Sequence, residues 1–204
     1  MHFLQSVLFG SEGNYNILGV EVKFKKTLYS YNLGGVGFLS KLATECINNT
    51  AFQWLTLGYM HVLVHEFSHG IAYKLFTDRI GIITIFTNNC SGQISNSYKK
   101  LDDWQSSIVA VAGPVGDIAF SIFQLIAATR LKSYLSTPFA LLLGGGAVFW
   151  ISGELLYAFV SAKNKDSGDF GNIAKYSELY LMLASVTIIS EVALGVFLAI
   201  NLST

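Results

Sequence analysis

The chain has 204 residues, of which 52% are hydrophobic and 13% charged, with a mean hydropathy of +0.49. That balance points to a membrane chain rather than a soluble domain. Thirteen basic residues against thirteen acidic ones leave no net charge, which argues against a nucleic-acid binder, since that class carries a basic excess and a basic patch.

Residues 1–16, MHFLQSVLFGSEGNYN, hold a short apolar run with no basic flank and no small-residue cleavage site, so a removable signal peptide is not expected. From Ile17 to Tyr31, β-branched and aromatic residues interleave with Lys and Glu in ILGVEVKFKKTLYSY, which predicts a short strand or hairpin at the membrane surface. Gly34, Gly35 and Gly37 interrupt any regular element, and 38–47 has the pattern of one or two amphipathic turns. Residues 1–50 thus read as an N-terminal membrane-surface region and 51–204 as a membrane-embedded core. The two cysteines, Cys46 and Cys90, stand far apart in no metal-binding spacing, and read as incidental thiols.

Four segments, 51–76, 106–129, 138–162 and 178–201, approach the run of about 20 apolar residues that a helix needs to cross a bilayer. After the first comes GIITIFTNNCSGQISNSY, residues 81–98, with β-branched residues before Asn88-Asn89 and Ser91-Gly92 in its middle, which predicts a β-hairpin. The expected fold class is an all-α polytopic membrane protein of about four transmembrane helices. It carries a small β-hairpin after the first helix and a short β-containing N-terminal region. An integral, multi-pass protein of the lipid bilayer is implied. Residues 77–105 and 163–177 then lie on one membrane face, and Lys and Arg divide almost evenly between the two faces, so the positive-inside rule assigns no orientation.

The first expected span contains His65-Glu66-Phe67-Ser68-His69. Histidines four residues apart lie on one helical face and can ligate one zinc ion together, while the glutamate beside the first can act as general base. Three of the four histidines, His61, His65 and His69, follow one another at four-residue steps. The pattern falls in the later half of its span, Ala112-Gly113-Pro114 near the start of the second, and Asp166 and Asp169 between the third and fourth, all toward one membrane face. A catalytic zinc site has three protein ligands and an open position for water. An aspartate from the third connection would complete such a set.

This ordered set resembles the site-2 protease family of intramembrane zinc metalloproteases: HEFSH in a membrane helix, a β-rich connection, AGPVGD at the start of the next helix, one further hydrophobic helix, then an aspartate motif. The resemblance covers roughly 52–201. It implies Zn2+ held by His65, His69 and Asp169, with Glu66 as general base, and a transmembrane protein or peptide as substrate. The family carries its third ligand in a Leu-Asp-Gly motif after an Asn-Pro-rich stretch, whereas this chain has KNKDSGDFGNIAKY. Asp169, with Gly171 two residues on, is the better match, and Asp166 the alternative.

Asp117, after Ala-Gly-Pro, suits a supporting role near the metal or in helix packing. Glu154 and Glu191 lie near the middles of the third and fourth expected spans, where an ionised carboxylate is costly and therefore marks a functional candidate. Protonated forms bonded to each other or to Ser152 are the bland alternative, and His61 reads as packing. Two functional alternatives stay open: a catalytically inactive scaffold that binds peptide helices, and a small transporter that uses Asp117, Glu154 and Glu191.

Overall fold

The computed structural model describes residues 2–17, 19–26, 45, 49–78, 81–87, 91–95, 100–131, 133–163 and 168–201. The described residues are mostly helical, 74%, with one small sheet among them, and the chain divides into two compact units, Met1–Asp102 and Asp103–Thr204. The first unit contains α1 (His2–Phe9), β1 (Gly13–Ile17), β2 (Val20–Lys25), α2 (Thr50–Leu55), α3 (Gly58–Thr77), β3 (Ile82–Phe86) and β4 (Ser91–Ser95). The second contains α4 (Asp103–Arg130), α5 (Thr137–Lys163), α6 (Gly168–Tyr176) and α7 (Glu178–Asn201).

In the first unit the strands form one sheet in the order β1-β2-β3-β4, antiparallel at β1/β2 and β3/β4 and parallel at β2/β3. A parallel pair cannot be joined by a tight turn, and here α2 and α3 lie in the crossover. Residues directly opposite on paired strands point to the same side of the sheet. Val22 is opposite Ile83, Phe24 opposite Ile85, and Ile85 opposite Gly92, so one face carries a continuous apolar row. Val22, Phe24, Ile83 and Ile85 on it are essentially inaccessible, and each such side chain contributes about 1.5–3 kcal/mol by leaving water. Phe3 of α1 joins this face through edge-on contacts with Tyr15 and Phe24, at centroid distances of 5.2 and 6.2 Å.

Helix α3 buries Tyr59, Val62, Glu66, His69 and Tyr73, a stripe at alternating three- and four-residue steps. Leu57 and Asp78, both in the left-handed region with φ of 59° and 62°, bound the helix, and the Asp78 N–H closes it by donating to the Lys74 carbonyl.

The second unit has the opposite polarity. Along α4, Ser107, Ala110, Pro114, Asp117, Ser121, Gln124 and Ala128 are buried, again at three- and four-residue steps, while Ile108 and Phe123 are exposed. Small and polar groups inside and apolar groups outside is the arrangement of a helix bundle whose solvent is lipid. Gln124 makes use of it, donating from Nε2 to the Leu143 carbonyl of α5 at 3.0 Å. Helices α4, α6 and α7 share a core of Ala110, Ile118, Phe170, Ile173, Ala184 and Ile188. A Cβ on Gly195 of α7 would run into Ile122, so α7 meets α4 there without room for a side chain.

Among the described residues, three helices are long and apolar enough to span a membrane: 103–130, 137–163 and 178–198. They cover the second, third and fourth expected spans. The stretch 51–76 is not one apolar rod but the two helices α2 and α3, broken at Leu57, and α3 also carries Glu66, Lys74 and three histidines. Two further elements differ from expectation. Residues 163–177 include the nine-residue helix α6, and α1 precedes the first strand. Antiparallel strand pairs overlap both the strand expected from Ile17 and the hairpin expected within 81–98, but they are joined as one sheet by the β2/β3 pairing. The amphipathic turns expected in 38–47, the glycines at 34, 35 and 37, the turn at Asn88-Asn89 and both cysteines lie outside the described residues, Glu45 excepted.

The Tyr59 hydroxyl donates to the Thr87 carbonyl at 2.7 Å, tying the start of α3 to the end of β3 in a buried setting. Tyr59→Phe leaves that carbonyl without this donor and is expected to cost about 1–2 kcal/mol. Thermal unfolding in detergent checks it: the midpoint falls by a few degrees, and an unchanged midpoint rejects the assigned bond.

Candidate functional site

Helix periodicity places His65 and His69 one turn apart. Their rings meet edge to face with centroids 4.8 Å apart, and a ring nitrogen of each lies within 4.8 Å of the other. His69 is buried and His65 partly exposed. Glu66 is also buried, at 6% exposure, although it occupies a packing position between Val62 and His69. Its carboxylate lies against β4: an ideal Cβ on Gly92 would be 2.5 Å from Glu66 Cγ and 2.7 Å from Oε1. The first unit therefore brings together two imidazoles, a buried carboxylate and the last strand of the sheet. The outer edge of that strand pairs with no other strand among the described residues. His61, one turn earlier, is fully buried.

The second unit groups carboxylates. Asp117 of α4 is 2% exposed, and Glu154 of α5 is within hydrogen-bonding reach of it, their carboxylate oxygens less than 4.8 Å apart. Asp169, in the first turn of α6, is close enough to Glu154 for their charges to interact. Tyr157 of α5 grips Asp169 twice: its hydroxyl donates to Oδ2 at 3.1 Å and accepts from the Asp169 backbone N–H at 2.9 Å. One turn further along α5, Ser161 Oγ accepts the Gly171 N–H at 2.9 Å. The first N–H groups of a helix have no partner within it, and here a neighbouring helix supplies two. Gly168 allows the approach, with φ of 74° and a would-be Cβ 2.8 Å from the Tyr157 hydroxyl and 2.5 Å from Ser161 Oγ.

Histidine, aspartate and glutamate side chains are thus grouped in ways that can hold a metal ion. Asp166 lies outside the described residues. Ser152 does not reach a glutamate; its hydroxyl donates to the Val148 carbonyl. Glu191 Oε2 is buried and has no hydrogen-bond partner among the described residues. Tyr157, Ser161, Gly168 and Gly92 were not singled out from sequence. Tyr157 and Ser161 do share one helix face by their four-residue spacing, but nothing local links that face to Asp169.

Tyr157→Phe removes the acceptor for the Asp169 amide and is expected to speed its hydrogen exchange about fivefold, for a loss on the order of 1 kcal/mol. Ser161→Ala should do the same at Gly171. Mass-spectrometric exchange localised to 168–172 reads both, and unchanged rates would reject the tethering.

Comparison with protein-family models, with curated proteins and with solved structures returns no match to this chain.

Proposed function

We propose that the protein is an intramembrane zinc metalloprotease that hydrolyses peptide bonds of transmembrane-segment substrates. His65 and His69 supply two ligands and Asp169 the third. In this reading α3, the longer part of the expected first span 51–76, joins α4, α5 and α7 as a fourth span. The observation that carries the reading lies within the first unit: a histidine pair and a buried glutamate on one helix, with the glutamate set against the edge strand β4. A helical substrate has to be unwound before its amide bonds are accessible, and an extended segment paired to the outer edge of β4 would be held beside Glu66.

When bound, zinc supplies a Lewis acid and brings the pKa of a coordinated water to about 7. Glu66 takes the proton from the attacking water and passes it to the leaving amine. Its burial, at 6% exposure, limits the bulk water that could compete for that proton. Tyr157 holds Asp169 in one orientation, the service that hydrogen-bonding partners give to carboxylate ligands. Asp117 and Glu154, with carboxylate oxygens within 4.8 Å of one another, place polar groups inside the bundle.

The purified chain and its variants, reconstituted with a membrane-embedded reporter, test this. Glu66→Gln is expected to keep its zinc and lose cleavage by about 10²–10⁴-fold, the usual contribution of a general base. Asp169→Ala is expected to lose zinc, and Tyr157→Phe to bind it about 10–100-fold more weakly in chelator competition. Cleavage by Glu66→Gln at the wild-type rate would reject the mechanism. Zinc retained by Asp169→Ala would remove that residue from the ligand set. A chain that binds the reporter without cutting it is the inactive scaffold, and one that needs Glu154 and Glu191 but not the histidines is the transporter.

A further inference from the structure

We infer that Gly92 is a positioning residue for Glu66, its missing side chain being the space that the glutamate occupies; this rests on Glu66 as the general base. The position does not need glycine for its backbone. Gly92 lies in the regular ladder of β4, directly opposite Ile85, and not in the left-handed region that favours glycine. Glycine in a strand interior costs stability relative to alanine and marks a place where another group comes close. Its partner Ile85 is fully buried, so Gly92 faces the packed side of the sheet, where a larger residue would ordinarily add apolar contact.

What fills that place is Glu66. The ideal Cβ would be 2.5 Å from Cγ, 2.7 Å from Oε1 and 2.9 Å from Cδ, all closer than real Cβ atoms come to a neighbour. Two of these three atoms, Cγ and Cδ, lie within the side chain rather than at its tip, so rotating the carboxylate alone does not relieve the overlap. Any residue larger than glycine at 92 must push the Glu66 chain along α3 or lift β4 away from it. Either movement takes the carboxylate out of register with the histidines one position before and three positions after it. A displacement on the order of 1 Å can cost about 100-fold in rate.

The test pairs the two positions. Gly92→Ala is expected to lower the thermal midpoint in the wild-type background by several degrees. In the Glu66→Ala background, where Cγ and the carboxylate are gone, the same change is expected to leave the midpoint unchanged or raise it. A structural role unrelated to Glu66 would produce the same fall in both backgrounds, and that result overturns the inference whatever the protein cleaves. In the cleavage assay, Gly92→Ala is expected to keep its zinc and its KM while kcat falls at least about tenfold. An unchanged kcat overturns the positioning role. A wild-type chain that cleaves no reporter strikes the proteolysis reading alone, and the thermal comparison still decides whether Gly92 makes room for Glu66.

Discussion

The parallel pairing of β2 with β3 is the constraint on which the first unit depends. Thr87 reaches back across 62 residues to donate to the Lys25 carbonyl. Closing so long a segment costs chain entropy that local turns avoid. The cost is offset only if the crossover packs well, and α3 does so through Tyr59, Val62 and Tyr73 on the stripe that also carries Glu66 and His69. The orientation that buries the tyrosines therefore also fixes the direction of the glutamate. Rotating α3 by one position would unseat the core and the chemistry together.

That coupling explains why a carboxylate sits where an apolar side chain would stabilise the fold more. Burying an ionisable group is expensive unless it finds partners, and proteins keep such groups mainly where a site requires them. Glu66 is held at a packing position, one residue from His65 and three from His69, with a strand lacking a side chain beneath it. Each of these features disfavours stability when taken alone. Together they describe one carboxylate given a fixed place.

The second unit solves a different problem. Lipid supplies no hydrogen bonds, so the polar groups of α4, α5 and α6 must satisfy one another within the bundle. Gln124 bonds the Leu143 carbonyl, and Tyr157 and Ser161 serve the opening N–H groups of α6. Many large apolar residues face outward, and the core shared by α4, α6 and α7 combines the small Ala110 and Ala184 with Ile118, Phe170, Ile173 and Ile188. Helix composition was legible from sequence for this reason: in a lipid environment the outward surface announces itself as an apolar run. The three helices of this unit that are long and apolar enough to span a membrane fall where the sequence predicts them because their signal is local and additive over some 20 residues.

Long-range pairing leaves no local signal in the sequence. Each β segment was recognisable by its own alternation, yet the β2/β3 pairing depends on partners separated by most of the first unit. The stretch 51–76 looked like one span because hydropathy sums residues without sensing the left-handed turn at Leu57. Helix α6 was missed because it is short, amphipathic and set between two strongly apolar helices, and its start is satisfied by side chains of α5 rather than by a neighbour in sequence. The His-Glu-x-x-His pattern was legible because a helix converts spacing directly into direction.

Asp169 shows what the tertiary structure adds to such a reading. From sequence its case rested on Gly171 two residues on, a weak likeness to the expected motif. In the fold its backbone and its carboxylate are both bound by one tyrosine hydroxyl, which fixes the side chain before any ligand arrives. A donor oriented in advance loses less freedom on binding than one that must be ordered at that moment. What the fold adds for Asp169, the proposed third ligand, is its anchoring by Tyr157. A motif search has no means of weighing that anchoring, because nothing local in the sequence ties the tyrosine to an aspartate twelve residues further on.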